Sequence, residues 1–105
     1  MELIVVWTEF AESRLSNVFN YYKEKASLKI ATQITKEIVK ASMELEKLPF
    51  IGALEPLLQA RVKEYRYLVQ GNYKIIYFVE KEKNEIVIAN LFDSRQNPSK
   101  IEETK

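Results

Sequence analysis

Hydrophobic and polar positions change period along the chain, and each change marks an element. Leu3 to Trp7 is an unbroken apolar run, mostly β-branched and aromatic, of strand length between Glu2 and Thr8, and it predicts a buried strand. From Thr8 the pattern turns helical. Thr8 has the chemistry of an N-cap, Glu9 and Glu12 follow where the helix dipole favours anions, and Ala11, Leu15, Val18, Phe19 and Tyr22 share one helical face. This helix is expected to run to about Ala26. Ser27 then caps a second helix, in which Ile30, Ile34, Ile38, Ala41, Leu45 and Leu48 recur every three or four residues. Lys29, Lys36, Glu37, Lys40, Glu44 and Lys47 supply its wet side, and Pro49 stops it. So short a break between the two predicts an antiparallel helical hairpin.

Phe50 to Ala60 carries Gly52 and Pro56 and reads as a loop, tied to apolar surroundings by Leu54, Leu57 and Leu58. Beyond it the period becomes two. Tyr65, Tyr67 and Val69 alternate with Glu64 and Arg66, and Gly71-Asn72 supplies a two-residue turn. Tyr73, Ile75, Tyr77 and Val79 alternate on the return strand, while Ile76 and Phe78 make its second face apolar too. Lys81 to Asn84 is a charged turn, and Glu85 to Phe92 a further strand. A strand apolar on both faces belongs at the centre of a sheet, with the helical hairpin on one side and the tail or a partner on the other. With no internal repeat and no linker, the expectation is one α+β domain over residues 1–105. Its order is β-α-α-β-β-β, the last three strands an antiparallel meander that completes the sheet.

Composition narrows the chemistry. The 105 residues are 47% hydrophobic and 30% charged, enough for one core. Sixteen Lys and Arg against 15 Asp and Glu leave a formal charge of +1, without the basic excess of a typical nucleic-acid-binding domain. Any electrostatic work falls to a local patch. The absence of Cys and His excludes disulfides, thiolate nucleophiles, a histidine base and the commonest zinc ligands. No apolar run approaches the roughly 18 residues of a membrane span, and the N-terminal run lacks the basic flank of a signal peptide. A cytoplasmic protein without direct membrane contact is expected. Nucleotide-loop, hydrolase-elbow and metalloprotease motifs are all missing.

The candidate patch lies between Arg61 and Lys74. Arg61, Lys63, Arg66 and Lys74 are opposed there only by Glu64, a net of +3, and with Arg95 they would span the sheet as a seat for phosphates or carboxylates. The plainer alternative is solvated strand faces and charges that protect a sheet edge. Arg66, set among tyrosines, needs a partner. Tyr65, Tyr67, Tyr73 and Tyr77 fit cross-strand pairing, with base stacking as the sharper alternative. In the tail, Asp93 either pairs with Arg95 or anchors the loop as an Asx turn, and Arg95 is the residue expected to touch something outside. Glu80, Glu82, Glu102 and Glu103 are expected to be solvated.

The segments Tyr65-Arg66-Tyr67-Leu68-Val69-Gln70-Gly71-Asn72-Tyr73-Lys74-Ile75-Ile76-Tyr77 and Leu91-Phe92-Asp93-Ser94-Arg95-Gln96-Asn97-Pro98 resemble the ParE/RelE superfamily. So do Tyr21-Tyr22 late in the first helix and the Leu48-Pro49-x-x-Gly52 exit from the second, so the likeness covers nearly the whole chain. These are the toxin halves of bacterial type II toxin–antitoxin pairs, also known as plasmid stabilisation proteins. The resemblance implies a small toxin whose cognate antitoxin lays a helix or strand on its apolar surface. A homodimer and a toxin–antitoxin heterotetramer both stay open, and no cofactor is implied. RelE-like members cut messenger RNA on the ribosome with Lys and Arg and commonly a C-terminal Tyr, whereas ParE-like members inhibit DNA gyrase and are not hydrolases.

Arg66, Lys74 and Arg95 match or neighbour the RelE-like catalytic positions and are the candidates if the chain is a metal-independent endoribonuclease. No tyrosine follows Arg95, however; the position six residues on is Ile101. With the near-neutral charge, this favours a ParE-like toxin that acts on DNA gyrase by protein–protein contact. Arg61, Lys63, Arg66, Tyr67, Lys74, Phe92 and Arg95 are then the residues expected to bind target or antitoxin. A member that has lost toxicity and only binds antitoxin is the third alternative.

Overall fold

In the computed structural model, which describes residues 3–105, the elements follow the order of the periods. The domain expected over residues 1–105 also spans residues 1 and 2, which lie outside the described residues. Strand β1 (Ile4–Trp7) leads into helices α1 (Glu9–Lys25) and α2 (Leu28–Met43). Strands β2 (Ala53–Leu54), β3 (Arg66–Gln70), β4 (Tyr73–Glu80) and β5 (Glu85–Asp93) follow. One sheet holds all five in the order β1-β5-β4-β3-β2, parallel between β1 and β5 and antiparallel elsewhere.

Local chemistry sets these boundaries. Thr8 Oγ1 accepts from the Ala11 N–H at 3.1 Å and Ser27 Oγ from the Ile30 N–H at 3.1 Å, so each helix starts where a hydroxyl satisfies a free amide. Gly71 takes φ 60° in the β3–β4 turn, and Asn84 takes φ 54° before β5. Helix α2 ends sooner than its periodicity predicts. The chain tightens into a 3-10 turn over Glu44–Glu46, which keeps Leu45 buried but leaves Leu48 exposed. β1 is also less buried than expected, because it forms an edge: Ile4 is 61% exposed.

The expected loop from Phe50 to Ala60 contains a strand. β2 pairs Ala53 with Tyr67 and Leu54 with Arg66, and Gly52 just before it explains the Pro49-x-x-Gly52 exit. The Gly52 N–H donates to Tyr77 Oη at 2.9 Å, and its carbonyl accepts from Arg66 Nη1 at 2.9 Å. A Cβ at Gly52 would stand 2.6 Å from Tyr77 Oη and 2.7 Å from the Tyr67 carbonyl oxygen, so a side chain there displaces backbone. The glycine stitches the helix exit to the centre of the sheet.

Two apolar layers flank the sheet. On the helix face, Ala11, Ile38 and Leu45 pack against Tyr73, Ile75, Tyr77, Ile86, Ile88 and Leu91. On the other, Tyr65, Ile76, Ala89 and Phe92 meet Leu58 and Ile101. A β-bulge reconciles the spacing in β5: Ile76 pairs with Asn90 and Tyr77 with Ile88, which leaves Ala89 as the extra residue. Ile88 and Leu91 therefore share the helix face although they are three apart.

The cover of this second face, left open between tail and partner, comes from the chain itself. Pro98–Glu103 winds as a 3-10 helix that seats Ile101 fully buried, with Leu58 of the Pro56–Leu58 turn beside it. Arg61 donates to the carbonyls of Glu102 and Thr104, and Arg14 of α1 pairs with Glu103 at 3.0 Å. Among the described residues no helix is long and apolar enough to cross a membrane.

Candidate functional site

Pairing across β3 and β4 decides which candidate cations can act together. Arg66 lies opposite Tyr77, a helix-face residue, whereas Lys74 lies opposite Phe92, a residue of the tail face. Directly opposed residues project to the same side of a sheet. Arg66 and Lys74 thus stand on opposite faces, and Arg95 lies beyond the end of β5. The structure does not bring these three together as one cluster.

Nor is the expected patch a field of free charge. Lys63 pairs with Glu80 at 2.8 Å and Arg66 with Glu64 at 2.9 Å. Lys74 pairs with Glu55 at 3.0 Å, Arg95 with Asp93 at 2.9 Å, and Arg61 is spent on the tail carbonyls. The count of one opposing carboxylate held only along the local sequence. Folding brings Glu55 from 19 residues away and Glu80 from 17. Glu103 is exposed, as expected, while it pairs with Arg14, whereas Glu80, expected to be solvated, is largely covered in its pair with Lys63.

Glu55 is the most constrained of these acids. It is 1% exposed, and its Oε1 accepts from the Leu57 N–H while Oε2 accepts from Lys74 Nζ. Lys74 also lies 4.2 Å from the centre of the Tyr67 ring. The ammonium compensates a carboxylate that burial would otherwise penalise by several kcal/mol, about 3–5 if the partner is removed. Tyr67 and Phe92 are walls of this tail-face layer. Arg66, the strand arginine that needed a partner, also lies 5.3 Å from the centre of the Phe50 ring.

Arg95 belongs to a different group. Asp93 Oδ1 accepts from both the backbone N–H and Nε of Arg95, and Oδ2 from Nη2. The ion pair and the Asx turn expected as alternatives are both present. The Arg95 bonds hold the Asp93 carboxyl below the usual carboxylate range, against the opposing pull of partial burial. The Tyr22 hydroxyl lies near both Arg95 and Tyr73. Burial pushes the Tyr73 phenol well above the usual tyrosine range, and the Tyr22 hydroxyl adds to it. A cleft of about 350 Å³ opens here between α1, the C-terminal half of β5 and the tail.

Three residues that shape the surroundings of these candidates were missed in the sequence. Glu55 had a signal, a lone acid between Leu54 and Pro56-Leu57-Leu58. Asn90 had one too, a single amide inside the apolar run Ile86–Phe92. Tyr22 had only its place on a helical stripe and in the Tyr21-Tyr22 pair of the family resemblance, neither of which points to Arg95. Among the described residues no three acidic side chains gather as a metal site.

The surface that remains unpaired is apolar. Leu48, Phe50, Ile51, Leu54, Leu57 and Val62 are all exposed along the segment that carries β2 at the sheet edge. On α2, Leu28, Ile30, Val39 and Met43 are exposed as well. The candidate cations thus each have a partner within the chain, while this edge keeps large apolar side chains exposed.

Comparison with known proteins gives the family. Residues 5–98 match the family model described as "ParE toxin of type II toxin-antitoxin system, parDE", and the chain belongs to that family. Its fold is shared with a solved chain of the "Chromosomal ParDE TA system from P. aeruginosa", with a TM-score of 0.73 at 19% identity over 88% of this chain and 96% of that one. No curated relative matches the sequence significantly.

Proposed function

We propose that this chain is a ParE-type toxin that acts by protein–protein contact on DNA gyrase and is neutralised by a cognate antitoxin. The observation that carries this reading is the run of exposed apolar side chains from Leu48 to Val62 on the sheet edge, where β2 is two residues long and its outer side is unpaired. Such an edge favours addition of a strand or apolar helix from another polypeptide. Family membership supports the antitoxin as its occupant. Phe50, held beneath Arg66 and Lys81, offers an aromatic anchor of the kind that dominates interfaces.

The endoribonuclease alternative is weakened by geometry. Arg66 and Lys74 face opposite ways, and Lys74 is tied to Glu55. The test is a gyrase supercoiling assay with the purified chain. Inhibition is expected, and prior incubation with the antitoxin relieves it. Unimpaired gyrase at a large molar excess, together with codon-positioned cuts in translated messages, overturns the proposal. Harmless expression without the antitoxin would point instead to a member that only binds antitoxin.

A further inference from the structure

Helix α2 carries two apolar stripes, and the fold uses one of them. Ile34, Ile38 and Ala41 pack into the core against the sheet. Leu28, Thr32, Thr35, Val39 and Met43 recur every three or four residues on another side, so they share a helical face of their own. Leu28 is 59% exposed, Val39 37% and Met43 45%. Thr35 turns its hydroxyl back to the Ala31 carbonyl at 2.9 Å, so what it offers a neighbour is chiefly its methyl group. The core does not account for this second stripe.

Helix α1 turns the stripe into one side of a groove. Leu15, Ser16, Phe19 and Asn20 stand across from Thr35 and line with it a hollow of about 320 Å³ between the helices. Leu15 and Phe19 are only half-buried, and they give the hollow an apolar floor. The short side chains of Ser16 and Thr35 leave room for another backbone to come close.

Charge selects what can lie there. Lys29, Lys36 and Lys40 follow Leu28, Thr35 and Val39 by one position each, and so flank the stripe along one side. All three are exposed, and none enters an ion pair among the described residues. Of the nearby acids, Glu37 lies a further position round the helix, and Glu44 belongs to the 3-10 turn beyond its end. A second copy does not suit this face. Antiparallel pairing of two such stripes sets Lys36, at the middle of the helix, beside its own equivalent. An anionic bilayer would meet the exposed Glu12, one turn from Ser16 on α1. A third helix bearing carboxylates on one side meets neither obstacle.

We propose that the outer face of the helical hairpin docks an amphipathic helix of a partner protein, apolar on its contact side and acidic along one flank. Its apolar side chains cover Leu28, Val39 and Met43 and reach toward Leu15 and Phe19, while its carboxylates lie along Lys29, Lys36 and Lys40. This face is separate from the sheet edge of Leu48 to Val62, and the proposal holds whichever protein the chain inhibits.

The test is titration of the ¹⁵N-labelled full chain with a helical peptide of about 16 residues, the length of α2, with Leu and Ala on one face and Glu along one flank. The same peptide with Lys in place of Glu, and phosphatidylserine vesicles, are separate arms, and sedimentation of the chain alone reports self-association. Saturable shifts over residues 15–20 and 28–43 are expected with the Glu peptide, with a Kd below about 1 mM, and binding about tenfold weaker with the Lys peptide. Lys36→Glu with Lys40→Glu should reverse that preference, a result that a merely structural role for the lysines would not produce. Val39→Asp, at an exposed position, should weaken both peptides, whereas Phe50→Ala on the sheet edge should change neither. The proposal is overturned if no peptide saturates the groove, if the two peptides bind alike, or if the charge reversal leaves their order unchanged. It is equally overturned if the shifts fall on residues 48–62, if vesicles bind this face more tightly, or if the chain self-associates in a way that Val39→Asp abolishes. None of these outcomes depends on gyrase.

Discussion

The two faces of the sheet are covered in different ways. Over one lie two helices of 17 and 16 residues, whose apolar stripes meet the strands through side chains such as Ile34, Ile38 and Tyr22. Over the other lies a six-residue 3-10 helix anchored on Ile101, with Leu58 beside it. The thin cover is held by polar attachments that the helices do not need: the Arg61 clamp, the Asn90–Thr104 bond and the Arg14–Glu103 pair. A long amphipathic helix buries enough area to hold itself down, whereas a short tail needs directed bonds to stay in place. The helix face should therefore carry the global stability, and the tail face should be able to open by itself.

Equivalent cuts on the two faces test this most severely. Ile38 and Ile101 are both essentially unexposed. Ile38→Ala should lower global stability by about 4 kcal/mol, within the usual range for such a truncation in a core that cannot collapse. Ile101→Ala removes the same atoms but can be relieved by release of the tail. Its effect should appear in native-state hydrogen exchange as lost protection over residues 98–104 and their neighbours on β4 and β5, with helix amides unchanged. Uniform loss of protection in Ile101→Ala would show that the faces unfold as one unit.

The next effect separates a structural from a functional role for the tail-face charges. Lys74→Met should cost about 3 kcal/mol, because it strands the buried Glu55 carboxylate. Adding Glu55→Gln should restore most of that loss by removing the stranded charge, a coupling that a double-mutant cycle in urea reads directly. Additive losses would mean that the pair is not the reason Lys74 is needed.

How much of this could be read in advance follows the same division. The helix face was legible because its signals are periodic and local: the Thr8 and Ser27 caps, the Ile34-Ile38-Leu45 stripe and the alternation from Tyr73 to Val79. The tail face was legible only as a gap needing a cover. Ile101 is a single apolar residue in a polar tail and has no period, and β2 is too short to establish one. The cations looked like a patch because charge was counted along the chain, while ion pairs form across it; Glu55 and Glu80 enter only once β3 and β4 are laid side by side. Leu48 erred in the opposite direction, keeping the helical rhythm past the point where the helix ends.

The smallest effect concerns where β5 hands over to the tail. Asp93 is ionised more readily in the folded chain than when free, first because of the hydrogen bonds from Arg95. A carboxyl whose folded pKa is depressed contributes stability above its unfolded value, near 4, and loses that contribution as pH falls through the lower folded value. Arg95 is half exposed, so the contribution at neutral pH should be below about 1 kcal/mol. Asp93→Asn should therefore be slightly less stable than the native chain at neutral pH, with a smaller deficit at about pH 2, as the native carboxyl takes up its proton. Denaturant melts at the two pH values decide it. If there is no deficit at neutral pH, the Asx turn, whose acceptor Asn keeps, and not the ion pair anchors the tail, and its hold on the sheet is geometric rather than electrostatic.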